Sequence, residues 1–150
     1  MNEKIKEGTD FEISCQQIVD PFYESKGLNI DRSCSCREYD LMLNDSKVEE
    51  KFRTVDYGDF LIEIIQDVAS GNEGWYYKTK ADNIAYWATT KILYFVKWEK
   101  FKYWFINKYK IEDDLFRVQK SIIGYGLTIN VSIKWSDVPA YLYIKRVNNG

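Results

Sequence analysis

The stretch Arg37-Glu38-Tyr39-Asp40-Leu41-Met42-Leu43-Asn44-Asp45-Ser46-Lys47-Val48-Glu49-Glu50-Lys51-Phe52-Arg53-Thr54 decides the fold. Two strand-like runs, 37–43 and 47–54, flank Asn44-Asp45-Ser46, which is turn chemistry. A two-residue turn at Asn44-Asp45 predicts the pairs Leu43–Ser46, Met42–Lys47, Leu41–Val48 and Asp40–Glu49. Side chains alternate faces along a strand. Leu41, Leu43, Val48 and Phe52 therefore share a core-facing side, while Asp40, Glu49, Lys51 and Arg53 share the other. Directly opposed carboxylates repel unless a cation sits between them, and a hard divalent ion with oxygen ligands suits that place. Alternation alone is equally compatible with an ordinary half-buried hairpin whose polar side faces water. A one-residue slip would put Glu50, not Glu49, beside Asp40.

Outward from the hairpin, Thr9-Asp10-Phe11-Glu12 reads as a capping box opening a helix over 9–26, with Phe11, Cys15, Ile18 and Phe22 at helical spacing. Pro21 is expected to break or kink this helix, Asp20 to cap the piece that follows, and Gly27 to end it. Residues 60–66 read as a strand and 91–96 as another. The glycines at 71 and 74 mark a loop, 80–88 a short helix, and 97–109 a helix with Trp98, Phe101, Phe105 and Tyr109 on one face. The tail, about 121–147, is strand-like, with turns at Gly124-Gly126 and Asp137-Pro139. This order predicts a mixed α/β (α+β) domain: a central mixed β-sheet flanked by helices.

The chain of 150 residues has room for one domain, 1–150, with a core at about 6–110 and a strand-rich C-terminal extension at about 111–150. Its composition, 45% hydrophobic and 17% aromatic, excludes a disordered chain. No apolar run approaches the ~20 residues of a membrane span, and the N-terminus does not read as a secretory signal. There is no histidine. Serine–histidine hydrolysis, histidine–metal nucleases and zincins are thereby excluded. The three cysteines, with Cys34 and Cys36 one residue apart, are expected to be reduced, structural thiols in a cytoplasmic protein.

Charge is unevenly distributed. Residues 1–77 carry 17 acids and 8 bases; residues 78–110 carry 8 bases and 2 acids, interleaved with aromatics. Such a segment suits a polyanion surface, or else a helix with solvated lysines and a buried aromatic face.

Asp40 followed by Glu49-Glu50-Lys51 resembles the Asp…Glu-x-Lys pattern of the PD-(D/E)xK nucleases, whose fold includes the restriction endonucleases. The chain is most similar to the Holliday-junction resolvase-like branch, through the helical Gly8-x-x-x-Glu12 element, the helix-ending Gly27, the aspartate strand and the Glu-x-Lys strand. The likeness covers residues 6–54 by motif and 55–105 by element order. Tyr39 stands where that family often has proline.

The resemblance implies a restriction-endonuclease-like fold and Mg²⁺-dependent DNA hydrolysis, with Mn²⁺ as substitute. Asp40, Glu49 and Lys51 would be catalytic. Asp40 and Glu49, the carbonyl of Glu50, and Glu12 as an outer ligand would hold the metal. Glu12 has a competing role in the capping box. Lys51 would position water or stabilise the transition state. Lys78, Thr79 and Lys80, in the segment after the glycine loop, are expected to contact backbone phosphates, or that segment's aromatics seal the sheet. Gln66 is a candidate for orienting water or simply ends its strand. The branch is usually dimeric, so a homodimer is an expectation. The alternative function is a catalytically inactive nucleic-acid-binding or inhibitor protein on the same fold.

Overall fold

The computed structural model describes residues 3–34, 38–109, 118–123 and 126–150; Cys36, Arg37 and Gly124 lie outside them. The chain is a mixed α/β protein. A long helix, α1 (Glu3–Ser25), leads into β1 (Ile30–Asp31) and the hairpin β2 (Leu41–Leu43) and β3 (Ser46–Arg53). Next come β4 (Asp59–Asp67), β5 (Asn72–Glu73), the single turn α2 (Trp75–Lys78), β6 (Asn83–Ala88), β7 (Ile92–Lys97) and α3 (Trp98–Tyr109). The chain closes with β8 (Val118–Ile123), β9 (Gly126–Lys134), two 3₁₀ turns and β10 (Tyr143–Val147).

Two sheets form. One has the order β1-β2-β3-β6-β7-β10, the other β5-β4-β9-β8. The hairpin has the predicted register, Leu41 opposite Val48, Met42 opposite Lys47 and Leu43 opposite Ser46. Asn44 takes the left-handed conformation that the two-residue turn demands (φ 54°). β2 begins at Leu41, shorter than predicted. β3 pairs with β6 in parallel, and every other ladder among the described residues is antiparallel. A parallel pair needs a crossover. Here β4, β5 and α2 lie between β3 and β6.

The larger sheet is buried on both faces. On one side Val19, Phe22 and Tyr23 of α1 pack on Leu41, Val48, Ala85 and Trp87. On the other, Ile84, Tyr86, Tyr94 and Val96 meet Phe60, Ile62, Val131 and Ile133 of the smaller sheet, together with Trp98, Phe101 and Phe105 of α3.

This two-sided burial corrects the helix predicted at 80–88. In β6 alternate residues enter opposite cores: Ile84, Tyr86 and Ala88 one, Ala85 and Trp87 the other. A strand buried on both faces is a continuous apolar run, which periodicity cannot distinguish from a short buried helix.

The first helix differs from expectation as well. It starts at Glu3, so Thr9 and Glu12 are interior and form no capping box. Pro21 lies inside it without ending it. The buried stripe is Cys15, Val19, Phe22 and Tyr23, while Phe11 and Ile18 are exposed. Gly27 does end the helix. Its φ is 76°, its N–H donates to Glu24 O, and Leu28 N–H donates to Tyr23 O, the paired bonds of a Schellman cap. Cys34 is disulfide-bonded, contrary to the expectation of a reduced thiol, and Cys15 is free and buried.

The tail expected as an extension is woven into both sheets: β9 pairs with β4, and β10 forms the edge beside β7. No described helix is long and apolar enough to cross a membrane.

Gly74 marks a close approach. Its N–H donates to Ile64 O, and a Cβ there would fall inside contact distance of the Glu63 main-chain carbonyl. Gly74→Ala is expected to cost about 1–3 kcal/mol through overpacking of α2 on β4. Urea unfolding should show a lower midpoint with an unchanged slope. A wild-type midpoint would mean that α2 shifts without cost.

Candidate active site

Asp40 precedes β2 and continues its pairing by other means. Its N–H donates to Val48 O, and its Oδ2 accepts Glu50 N–H at 2.7 Å. The carboxylate thus takes a backbone donor of β3 and is pinned beside the segment Glu49–Lys51, with its residue exposed at the sheet end.

Consecutive residues of β3 point to opposite faces. Glu49 is buried, and its Oε1 lies 3.2 Å from Lys51 Nζ. Its Oε2 lies 3.3 Å from Thr79 Oγ1. Burial pushes the Glu49 carboxyl above its ordinary value. Lys51 opposes that shift, Asp40 adds to it, and Thr79 opposes it. Lys51 Nζ also stands 5.5 Å from the centroid of the Trp75 ring.

Glu12 belongs to the same electrostatic group. Crowding by neighbouring protein raises its carboxyl, the Asp40 charge raises it further, and Lys51 pulls it down. With no capping role, Glu12 is a helix-interior carboxylate under the influence of the hairpin's Asp40 and Lys51. Glu12, Asp40, Glu49 and Lys51 therefore share one field.

Glu50 goes elsewhere. Its side chain enters the α1 face, where Arg32 Nη1 donates to Oε1 at 2.9 Å and Tyr23 Oη donates to Oε2 at 2.6 Å. Trp87 Nε1 donates to Tyr23 Oη at 2.9 Å, and Arg32 also grips Asp20. Asp20, expected as a helix cap, is thus an ion-pair partner. Burial raises the Glu50 carboxyl, while the Arg32 and Tyr23 bonds oppose the rise. Burial also works against the charge of Arg32, but its bonds to Asp20 and Glu50 outweigh that and hold the guanidinium firmly protonated.

The other sequence-predicted residues are dispersed along the crossover. Lys78 and Lys80 are exposed, and Lys78 Nζ donates to Gln66 Oε1 at 3.0 Å. Thr79 is buried, and its hydroxyl lies 3.3 Å from both Glu49 Oε2 and the Glu38 carbonyl oxygen. It positions Glu49 rather than reaching toward solvent. Sequence reasoning missed Arg32, Tyr23 and Trp87, which secure β3 from behind. No local pattern marks them, since they lie 18, 27 and 37 residues from Glu50.

The donor set is all oxygen. Among the described residues no group of three or more ligating side chains stands close enough together to hold a metal. Mg²⁺ does not require one: it keeps several waters and is held by one or two carboxylates. Asp40 and Glu49 fit that mode: burial raises the Glu49 carboxyl, and the like charge of Asp40 adds to the rise.

Neither a protein-family model, nor a curated protein, nor a solved structure matches this chain.

Proposed function

We propose that this protein is a metal-dependent nuclease that hydrolyses phosphodiester bonds in DNA. The observation that carries the reading is the convergence of Asp40, Glu49 and Lys51 at one end of the β2–β3 hairpin, with Glu12 in the same field. Two hard carboxylates beside an ammonium form a composition suited to a divalent cation and a phosphate together.

Asp40 and Glu49 would hold Mg²⁺ or Mn²⁺. When bound, the ion lowers the pKa of a coordinated water and polarises the scissile phosphate. Glu50 N–H and Thr79 Oγ1 keep the two carboxylates in place. Glu12 is the outer acidic group, able to hold a water. Lys51 faces the negative charge that grows on the phosphate oxygens. Exposed Lys78 and Lys80 contribute sequence-independent attraction for the DNA backbone.

Metal binding tests this reading. Asp40→Asn keeps a carbonyl oxygen to accept Glu50 N–H but removes the charge. Calorimetric titration with Mn²⁺ should show a site in the wild type that Asp40→Asn loses, with the fold unchanged by circular dichroism. Equal titration of both proteins would place any metal elsewhere. If the wild type neither binds Mn²⁺ nor cleaves DNA, the protein binds nucleic acid without catalysis or acts on another target.

The pH dependence has a defined sign. Ligands must be deprotonated to bind metal. Burial raises the Glu49 carboxyl above its ordinary value, so protons compete with metal at a higher pH than for an ordinary carboxylate. Mn²⁺ affinity is expected to fall on acidification at a higher pH than an ordinary carboxylate site would show, and Lys51→Ala should move that point higher still, because Lys51 lowers the Glu49 carboxyl.

A further inference from the structure

Beside Lys51 the outer side of β4 and the rim of β3 enclose a groove of about 290 Å³, lined among others by Lys51, Arg53, Glu63, Trp75 and Asn130. Glu63 and Asn130 are direct cross-strand partners on β4 and β9, so their side chains stand together on one face. Both are half-buried, yet neither side chain hydrogen-bonds to another described residue, and the Glu63 carboxylate has no ion pair among them. The charged groups around them are otherwise engaged: Arg53 with Asp59 and Tyr86, Lys51 with Glu49.

A strand packed only for stability has no need of an unengaged carboxylate next to an unengaged amide in a concave site. Elsewhere on the same sheet Ser132, two residues from Asn130, donates to Asp59. An acceptor-only group beside a donor–acceptor amide offers two recognition elements side by side.

We infer that this groove is a base-reading subsite for an unpaired nucleotide next to the scissile phosphate, and that it prefers cytosine or adenine, whose exocyclic amino group stands beside an unprotonated ring nitrogen. The inference rests on the nuclease reading of Asp40, Glu49 and Lys51, because Lys51 belongs to both the catalytic group and the groove wall. Glu63 accepts from the amino group of cytosine or adenine, and Asn130 donates to the adjacent ring nitrogen. A carboxylate is a known acceptor for the cytosine amino group, and an amide N–H is a donor suited to the bare ring nitrogen on the Watson–Crick edge beside it. Thymine turns carbonyl oxygens toward the carboxylate and is disfavoured. A paired base cannot present this edge, so the substrate has a single-stranded or extruded nucleotide at the cleavage point.

The test uses the full chain in EDTA, so that cleavage plays no part. Fluorescence anisotropy compares labelled oligo-dC and oligo-dT, two pyrimidine strands, at one fixed salt concentration. The wild type should bind oligo-dC about 5- to 100-fold more tightly, the range that one good base contact supplies. Glu63→Gln keeps the shape but adds a donor, and should bring the two affinities to within about twofold by improving oligo-dT. Asn130→Ala should weaken oligo-dC. Equal affinities in the wild type, or an undiminished preference in Glu63→Gln, would overturn the inference. The Mn²⁺ titration of the same preparation separates the two failures: metal binding lost on Asp40→Asn without base preference sinks the subsite alone, and no metal binding sinks the nuclease reading.

Discussion

On the proposed nuclease reading, Lys51→Ala is expected to lower the rate of DNA cleavage about 10²–10³-fold while leaving DNA affinity nearly unchanged, by analogy with the loss of one oxyanion donor. The argument begins from position. Lys51 lies two residues beyond Glu49 on the same face of β3, and its ammonium is 3.2 Å from the Glu49 carboxylate. In the resting protein its charge is compensated by Glu49, so it contributes little to ground-state attraction for a phosphate. When negative charge builds on the phosphate oxygens, a half-buried ammonium already in place gains interaction at no cost of reorganisation. An interaction made only in the transition state lowers kcat and kcat/KM together. Gel shift in EDTA should therefore be near wild type, with single-turnover cleavage in Mg²⁺ severely slowed. Lys51→Arg is not a conservative rescue, because the guanidinium is larger, planar and differently hydrated. Wild-type cleavage by Lys51→Ala would make the Glu-x-Lys pattern a coincidence.

Arg32→Ala is the second large effect, expected to cost about 3–5 kcal/mol of folding stability. Glu50 is 3% exposed, and Arg32 is its cationic partner through two hydrogen bonds. Removing Arg32 leaves a buried carboxylate with only Tyr23 Oη and a distant Asp20 released from its own partner. The cost arises from the orphaned charge more than from the lost attraction. Arg32→Ala combined with Glu50→Gln should consequently be more stable than Arg32→Ala alone, since Gln still accepts from Tyr23.

The sign with pH follows from Glu50. Its carboxyl is already raised in the folded protein, chiefly by burial, and Arg32 opposes the rise. Without Arg32 the folded value climbs further above the unfolded one. The folded state then binds the proton more tightly, so stability is fully retained below the unfolded pKa and lost as pH rises through the folded one. Urea denaturation of Arg32→Ala across mildly acidic to neutral pH should show a steeper fall than the wild type. A pH-independent loss would assign the damage to packing of the arginine stem instead. Because Glu50 N–H holds Asp40, this variant should also lose Mn²⁺ affinity, linking the buried network to the site on the opposite face.

The division of labour between Glu49 and Glu50 was partly legible in the chain. Strand alternation separates them onto opposite faces whichever register holds. Which one accompanies Asp40 follows from the two-residue turn at Asn44-Asp45, a local feature. The destination of the other required Arg32 and Tyr23, which approach from distant segments.

Local chemistry alone determined the β2–β3 register, the α3 helix with buried Trp98, Phe101 and Phe105, and the stop at Gly27. Each depends on contacts or dihedral angles within a few residues, and those leave a mark in spacing or residue type. Tertiary structure alone decided that 83–88 is a strand, that Val19 and not Ile18 faces the core, that Thr79 supports Glu49, and that the tail completes both sheets. In each case the deciding partner is remote in sequence. An apolar run reads the same whether it is buried as helix or strand, and a helix settles its buried face against a sheet that does not yet exist in the local pattern. Glu63 beside Asn130 is the same kind of fact: 67 residues separate them, and only the β4–β9 ladder brings their side chains onto one face.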